Sequence, residues 1–152
     1  TSVFHGRDLF GYCAARLAAG IIDFEQVGPA YDPADVVKLP MPQAQYCDQK
    51  AAGMIEIDDP NFGNLFTNID TKALLAHGFV YGKKIHAIIR HGDDVVFDRD
   101  LPFEKSFGMV NKDEPLAYNN ELMNLSFAVS QGSFVNTFHV GFGSEWTVEV
   151  TA

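Results

Sequence analysis

Positive charge, cysteine and long apolar runs are all scarce in this sequence. Eleven Lys and Arg stand against twenty Asp and Glu, a formal charge of −9 over 152 residues. The densest basic pair is Lys83-Lys84, whereas binding a phosphate backbone takes clustered Lys and Arg, so the composition argues against nucleic acid as a partner. Only Cys13 and Cys47 occur, with no CxxC and no Cys/His cluster, and neither a disulfide framework nor a metal site is expected. His77, His86, His91 and His139 fall in different segments without ligand spacing. The longest weakly polar stretch, residues 9–22, contains Arg16 and two glycines and falls short of the roughly 20 apolar residues of a membrane span. With no amino-terminal signal pattern either, a cytoplasmic setting without a membrane partner is expected. Gly-rich phosphate loops, HExxH and the GxSxG nucleophile elbow are absent.

What is present is apolar and aromatic. The chain is 47% hydrophobic, with 13 Phe, 5 Tyr and 1 Trp, enough for a real core and incompatible with global disorder. Its length suits one domain, or a small domain and a piece of another.

Leu9, Phe10, Cys13, Ala14, Leu17 and Ala18 recur at helical spacing, and Gly20 is placed to end that helix. Residues 1–5 read as the tail of a strand, followed by a tight turn at Gly6 and a helix from near Arg7. This is an α/β element whose partner strands lie upstream, so the natural amino terminus is expected to be missing from the sequence. Residues 21–52 show no sustained period and contain Pro29, Pro33, Pro40 and Pro42. The boundaries that result are the end of an amino-terminal α/β domain at 1–28, a linker at 29–52 and a β domain at 53–152.

From residue 53 the pattern changes to short alternating runs, at 54–57, 65–69, 85–90, 95–98, 116–118, 125–129 and 146–150, each bounded by Gly, Asn, Asp or Pro. One short helix is expected over 71–77, stopped by Gly78, and His91-Gly92-Asp93-Asp94 reads as a hairpin turn. The fold class is thus an α/β fragment followed by a mostly antiparallel β-barrel domain, α+β overall.

Three clusters carry candidate chemistry. In Phe4-His5-Gly6-Arg7-Asp8, a glycine at a helix start permits close approach of a ligand and His5 can act on a substrate or a water. Asp8 is equally explained as a first-turn acid favoured by the helix dipole. The second run, Asp58-Asp59-Pro60-Asn61-Phe62-Gly63-Asn64-Leu65-Phe66, has the Asn, Asp, Pro and Gly of any turn. It adds aromatic faces beside side-chain amides, the pairing a heterocyclic ring needs for its faces and its edge. The third joins Phe103 and Phe107 to Tyr118-Asn119-Asn120-Glu121 and to Ser130-Gln131-Gly132-Ser133. Core packing and a polar loop explain these as well.

In order, these clusters resemble one family over nearly the whole chain, the S-adenosylmethionine hydroxide adenosyltransferases (S-adenosylmethionine hydrolases), related to the bacterial fluorinase and chlorinase. The resemblance rests on Val3-Phe4-His5-Gly6-Arg7-Asp8-Leu9-Phe10, on the helix through Gly20 with Val27-Gly28, and on Phe62-Gly63-Asn64-Leu65-Phe66-Thr67-Asn68-Ile69. The segment 103–108 and Pro115-Leu116-Ala117-Tyr118-Asn119-Asn120 add to it.

The resemblance implies an amino-terminal α/β domain and a carboxy-terminal β-barrel, assembled as a homotrimer or dimer of trimers with the site at the subunit interface. The upstream half is then missing or a separate chain, and this polypeptide alone is expected to be inactive. His5 with Gly6 matches the hydrolases, where the halogenases have Tyr, so water rather than halide is the implied nucleophile. His5 would be the catalytic base, and S-adenosyl-L-methionine the small-molecule substrate, cleaved to adenosine and L-methionine without a cofactor.

By the same resemblance Asp58 would hold the methionine ammonium, Asn64 the adenine edge, and Phe62, Phe66 and Phe107 the stacking walls. Ser130 and Gln131 would complete the hydrogen bonds, with Phe4 and Gly6 contributed by a neighbouring protomer. Two departures stand out. An extra residue leaves Asp58 and Asp59 as rivals for the ammonium. Where the family reads Asn-Ser-x-Gly around the methionine carboxylate, this chain has Asn120-Glu121-Leu122-Met123, and Glu121 faces a like charge. A halogenase and a binding module without turnover are the alternative readings.

Overall fold

The computed structural model describes residues 3–38 and 41–152. The chain divides into two compact units, Thr1–Leu39 and Pro40–Ala152.

The first unit is helix and loop. A stretch of π-helix, Gly6–Phe10, runs directly into α1, Gly11–Ala18, and His5 is already helical ahead of it. The strand expected over residues 1–5 and the tight turn at Gly6 are therefore corrected: Val3 and Phe4 are irregular, and Thr1 and Ser2 lie outside the described residues. Extended backbone depends on a neighbouring strand for its hydrogen bonds, and none of the described strands pairs here. Local bonding takes its place, beginning with the Asp8 N–H donating to the Phe4 carbonyl at 2.7 Å. The helix ends as expected at Gly20, whose φ of +64° suits a residue without Cβ. Beyond it, Asp23 and Gln26 form a capping box, and Asp32 caps Pro33–Asp35. No described residue of this unit is buried, and Leu9 and Phe10 of the apolar stripe are 54% and 63% exposed.

The second unit is a closed β-barrel. Its strands are β1 (Gln45–Cys47), β2 (Lys50–Asp58), β3 (Leu65–Asp70), β4 (Lys83–His91), β5 (Asp94–Glu104), β6 (Pro115–Asn119), β7 (Asn124–Val129) and β8 (Gly143–Thr151). They run in the order β1-β2-β3-β7-β6-β5-β4-β8, and a further β2–β8 pairing closes the circuit. All pairs are antiparallel except β5–β6. The segment expected as linker, 29–52, carries Pro33–Asp35, all of β1 and the start of β2.

β2 is the most heavily used strand. β8 takes one edge; β1 lies opposite residues 50–52 and β3 opposite residues 55–58 on the other. Asn68 secures the step between β1 and β3, accepting from the Met54 N–H at 2.8 Å and donating to the Pro42 carbonyl at 2.7 Å. A bulge between Ile55 and Ile57 switches the face presented to the core: Ile55 is fully buried, whereas Ile57 two residues on is 46% exposed.

Alternation fills the interior. Leu65, Thr67 and Ile69 of β3 and Ile85, Ala87 and Ile89 of β4 are buried, and the Thr67 hydroxyl is satisfied by the Leu125 carbonyl at 2.7 Å. A short helix that sequence periodicity did not suggest, α3 (Phe134–Phe138), adds Phe134 to this core. Its ring lies 5.1 Å from that of Phe97 and 5.8 Å from that of Phe127. The other helix of the unit, α2 (Thr71–Ala76), is capped by Asp70 and followed by Gly78 at φ +94°. β7 is buried on both faces, because Leu116, Tyr118 and Ala128 form a second, smaller cluster with Val110 against it. No described helix is long and apolar enough to cross a membrane.

Candidate functional site

The second cluster leads to the site. Register sets Phe66 of β3 opposite Ser126 of β7, and Ser126 opposite Tyr118 of β6, so three neighbouring strands present an aromatic, hydroxyl, aromatic row. Phe107, on the segment after β5, tilts against Tyr118 with ring centroids 4.7 Å apart.

The turn that follows β2 forms the facing side. Asp59 organises it: its carboxylate accepts from the Asn61 N–H at 2.8 Å, and its carbonyl from the Gly63 N–H at 2.7 Å. The turn is then tied to the start of α3, where the Val135 N–H donates to the Gly63 carbonyl at 3.1 Å. Gly63 has φ +68°, and any Cβ there would overlap the Ser133 side chain. A glycine is required at this point for both reasons.

Between these walls lies an open cleft of about 1050 Å³. It gathers the residues expected from the second unit: Asp58, Phe62, Asn64, Phe66, Phe107, Glu121, Ser130 and Gln131 all line it. Asn64 and Ser130 are buried polar residues at 7% and 5% exposure, while Phe62 is 69% exposed and stands at the rim. Phe4, His5 and Gly6 belong to the first unit, where Arg7 pairs with Asp8 and its guanidinium lies over the Phe4 ring at 4.9 Å.

The rivalry between Asp58 and Asp59 has a structural side. Asp59 is engaged in its own turn, holding the Asn61 N–H and, at 3.4 Å, the Phe62 N–H. Asp58 ends β2 and takes no part in that capping.

Sequence reasoning placed Tyr118 and Asn120 in the third cluster but gave neither a role at the site. Tyr118 accepts hydrogen bonds from Asn64 and Ser126. Burial, followed by the charges of Glu121 and Asp59, outweighs those bonds and pushes its pKa up to about 12, so at neutral pH it is an uncharged hydroxyl. Asn120, 3% exposed, shapes the turn before β7. Its Oδ1 accepts from the Leu122 and Asn124 N–H groups at 2.9 Å each, and its Nδ2 donates to Ser126 Oγ at 2.9 Å. The alternation Leu116, Tyr118 in β6 was the available signal for Tyr118; the role of Asn120 depends on a contact across the turn. Met123, standing where the resemblance calls for Gly, has φ +65°.

The lining has aromatic walls, side-chain amides and hydroxyls at their edges, and three carboxylates, Asp58, Asp59 and Glu121, with no Lys, Arg or His among them. That chemistry suits a flat heterocycle with a positively charged appendage. Among the described residues no group of three or more His, Cys, Asp or Glu is placed to hold a metal ion.

Comparison with known proteins finds relatives of this chain. Residues 53–147 match the family of the SAM hydroxide adenosyltransferase C-terminal domain. A fluorinase from Actinopolyspora mzabensis is 28% identical over 142 residues, covering 92% of this chain and 46% of that protein. An (R)-S-adenosyl-L-methionine hydrolase from Salinispora tropica is 39% identical over 66 residues, 43% of this chain and 24% of that protein. The crystal structure of an uncharacterized conserved protein from Thermotoga maritima superposes with a TM-score of 0.76 at 28% identity, covering all of this chain and 54% of that one. The chain thus spans about half the length of the fluorinase and of the Thermotoga protein.

Proposed function

Because the chain belongs to the SAM hydroxide adenosyltransferase family, we propose that its cleft binds an adenosyl sulfonium and that the assembled protein cleaves it with water, S-adenosyl-L-methionine giving adenosine and L-methionine. The observation that carries this reading is the gathering of Phe62, Asn64, Phe66, Phe107 and Ser130 around one cleft with acidic groups at its side. In this reading the adenine lies between the aromatic rings, with Asn64, Ser130 and Gln131 hydrogen bonding its edge and Tyr118 holding Asn64 in place. Asp58 receives the cationic tail, Asp59 being committed to its turn.

The chemistry follows from the leaving group. A water oxygen attacks the ribose 5′ carbon in line with the C–S bond, and the bond's electron pair returns to sulfur. A positive sulfonium becomes a neutral thioether, so no metal or redox group is required. His5 accepts the proton from the attacking water. Phe4, His5 and Gly6 reach the cleft of a neighbouring copy in a homotrimer or dimer of trimers, which a chain of half the relatives' length enters with the remaining segment supplied in the same polypeptide or separately.

The test is incubation of the assembled protein with S-adenosyl-L-methionine, with and without chloride, and separation of the nucleosides by liquid chromatography. Adenosine formed by the parent and absent with His5→Ala is the expected result. A 5′-chloro-5′-deoxyadenosine product would assign halogenation instead, and bound nucleoside without product a binding module.

A further inference from the structure

We propose that the end of the cleft beside Glu121 selects a tail that is cationic and carries no carboxylate, so that the preferred ligand is an adenosyl sulfonium bearing an aminoalkyl chain rather than an amino-acid chain. This rests on the adenosyl reading above and narrows it to a substrate class.

A carboxylate in a ligand is met best by a cation, and the residues that line this cleft provide none. Its lining contains Asp58, Asp59 and Glu121 and no basic side chain. None of the three is neutralised from within: among the described residues the ion pairs are Arg7 with Asp8, His86 with Asp98 and Asp100, and His91 with Glu145. The main-chain donors of the residues that flank Glu121 are consumed as well. In the turn after β6 the N–H groups of Leu122 and Asn124 go to Asn120 Oδ1, that of Met123 to the Asn120 carbonyl and that of Asn120 to the Asn124 carbonyl.

Across the cleft the N–H groups of Asn61 and Phe62 go to the Asp59 carboxylate, and those of Asp59 and Gly63 to main-chain carbonyls of the same turn. A ligand carboxylate placed here meets like charge with no basic side chain to offset it. An ammonium at the same place meets Asp58 and Glu121, neither of which is in an ion pair among the described residues.

The cleft is more than an acidic patch. Its aromatic walls and the 95% buried Ser130, whose main-chain groups pair with Asp113 and Glu114 while its hydroxyl takes no part, define where the nucleoside sits. The carboxylates therefore act on the appendage. Glu121 is held for this by the Asn120 turn and is close enough to Tyr118 to act on its hydroxyl.

Isothermal titration of the chain with adenosine, S-adenosyl-L-methionine and decarboxylated S-adenosylmethionine tests this. Adenosine is expected to bind, and the decarboxylated compound to bind at least about tenfold more tightly than S-adenosyl-L-methionine. In Glu121→Gln, an exposed position where folding is not at risk, that ratio is expected to shrink to about threefold or less. The preference should also fade as salt rises from 50 to 500 mM. Equal or tighter binding of S-adenosyl-L-methionine by the parent, with adenosine still bound, overturns this inference and leaves the adenosyl reading standing. Failure of adenosine itself to bind overturns both.

Discussion

Gly63 and Ser133 touch so closely that the pair works as a joint: the turn after β2 and the start of α3 meet there with no room for a Cβ. The same glycine carries a positive φ and, through its carbonyl, the Val135 N–H. The shape of the cleft is set at this contact.

Gly63→Ala is therefore expected to cost about 1–3 kcal/mol from backbone strain alone, with the overlap at Ser133 added to it. Urea unfolding of parent and variant measures the loss. An unchanged midpoint would mean that the turn moves freely against α3.

Phe62 stands at the rim with most of its ring in solvent, so Phe62→Ala separates binding from stability. Loss of one stacking partner is expected to weaken adenosine binding by about 0.5–1.5 kcal/mol, a factor of roughly 2 to 13. The thermal midpoint should not move. Titration calorimetry and a melting curve on the same sample decide it, and unaltered affinity would remove Phe62 from the adenine wall.

Met123 carries φ +65° and is 56% exposed. Replacing it by glycine relieves a left-handed backbone disfavoured for a side chain, at the loss of a contact from Asn119 Nδ2 to its sulfur at 3.4 Å. Met123→Gly is expected to stabilise the barrel by up to about 1 kcal/mol, read as a higher urea midpoint. A lower midpoint would assign more to that sulfur contact than its length suggests.

On the outer surface of β4, His86 lies between two carboxylates, with Nδ1 2.7 Å from Asp100 and Nε2 3.0 Å from Asp98. The hydrogen bond to Asp100 is the main reason its pKa is raised; slight burial opposes this and the two charges add to it. Folding thus favours the imidazolium. The stabilisation is fully present below the ordinary value of about 6.5 and is lost as pH rises through the raised folded pKa. Melting temperatures across pH 5.5–8.5 should fall with rising pH more in the parent than in His86→Gln, and parallel curves would show the pair to be inert.

Much of the barrel was legible in the sequence because its strands obey the two-residue period that burial demands. Ile85, Ala87 and Ile89 are inside as alternation requires, and the hairpin at Gly92-Asp93 joins β4 to β5. What escaped depended on contacts distant in the chain. β1 is three residues in a proline-bearing stretch, stable only because β2 offers it an edge. Phe134 belongs to a helix too short to show a period, and its burial comes from Phe97 and Phe127. The strand expected over residues 1–5 failed for the converse reason: no described strand pairs with Val3 or Phe4, which are irregular, and His5 is already helical. At the site, the aromatic and amide residues announced themselves by type. Tyr118 and Asn120 work through neighbours that only the register of β6 and β7 supplies.

Closure of the barrel by β2 and β8 has a consequence for synthesis. Lys50 faces Thr151, a pairing that spans about a hundred residues and gives the domain a high contact order. On the ribosome, β2 is made before β3 to β7 and waits with one edge unsatisfied until β8 follows. The strands that bear the cleft are all made by then. Until that pairing forms the β2 edge is open to mispairing, and a chaperone that shields a β-edge would have most effect on yield in that interval.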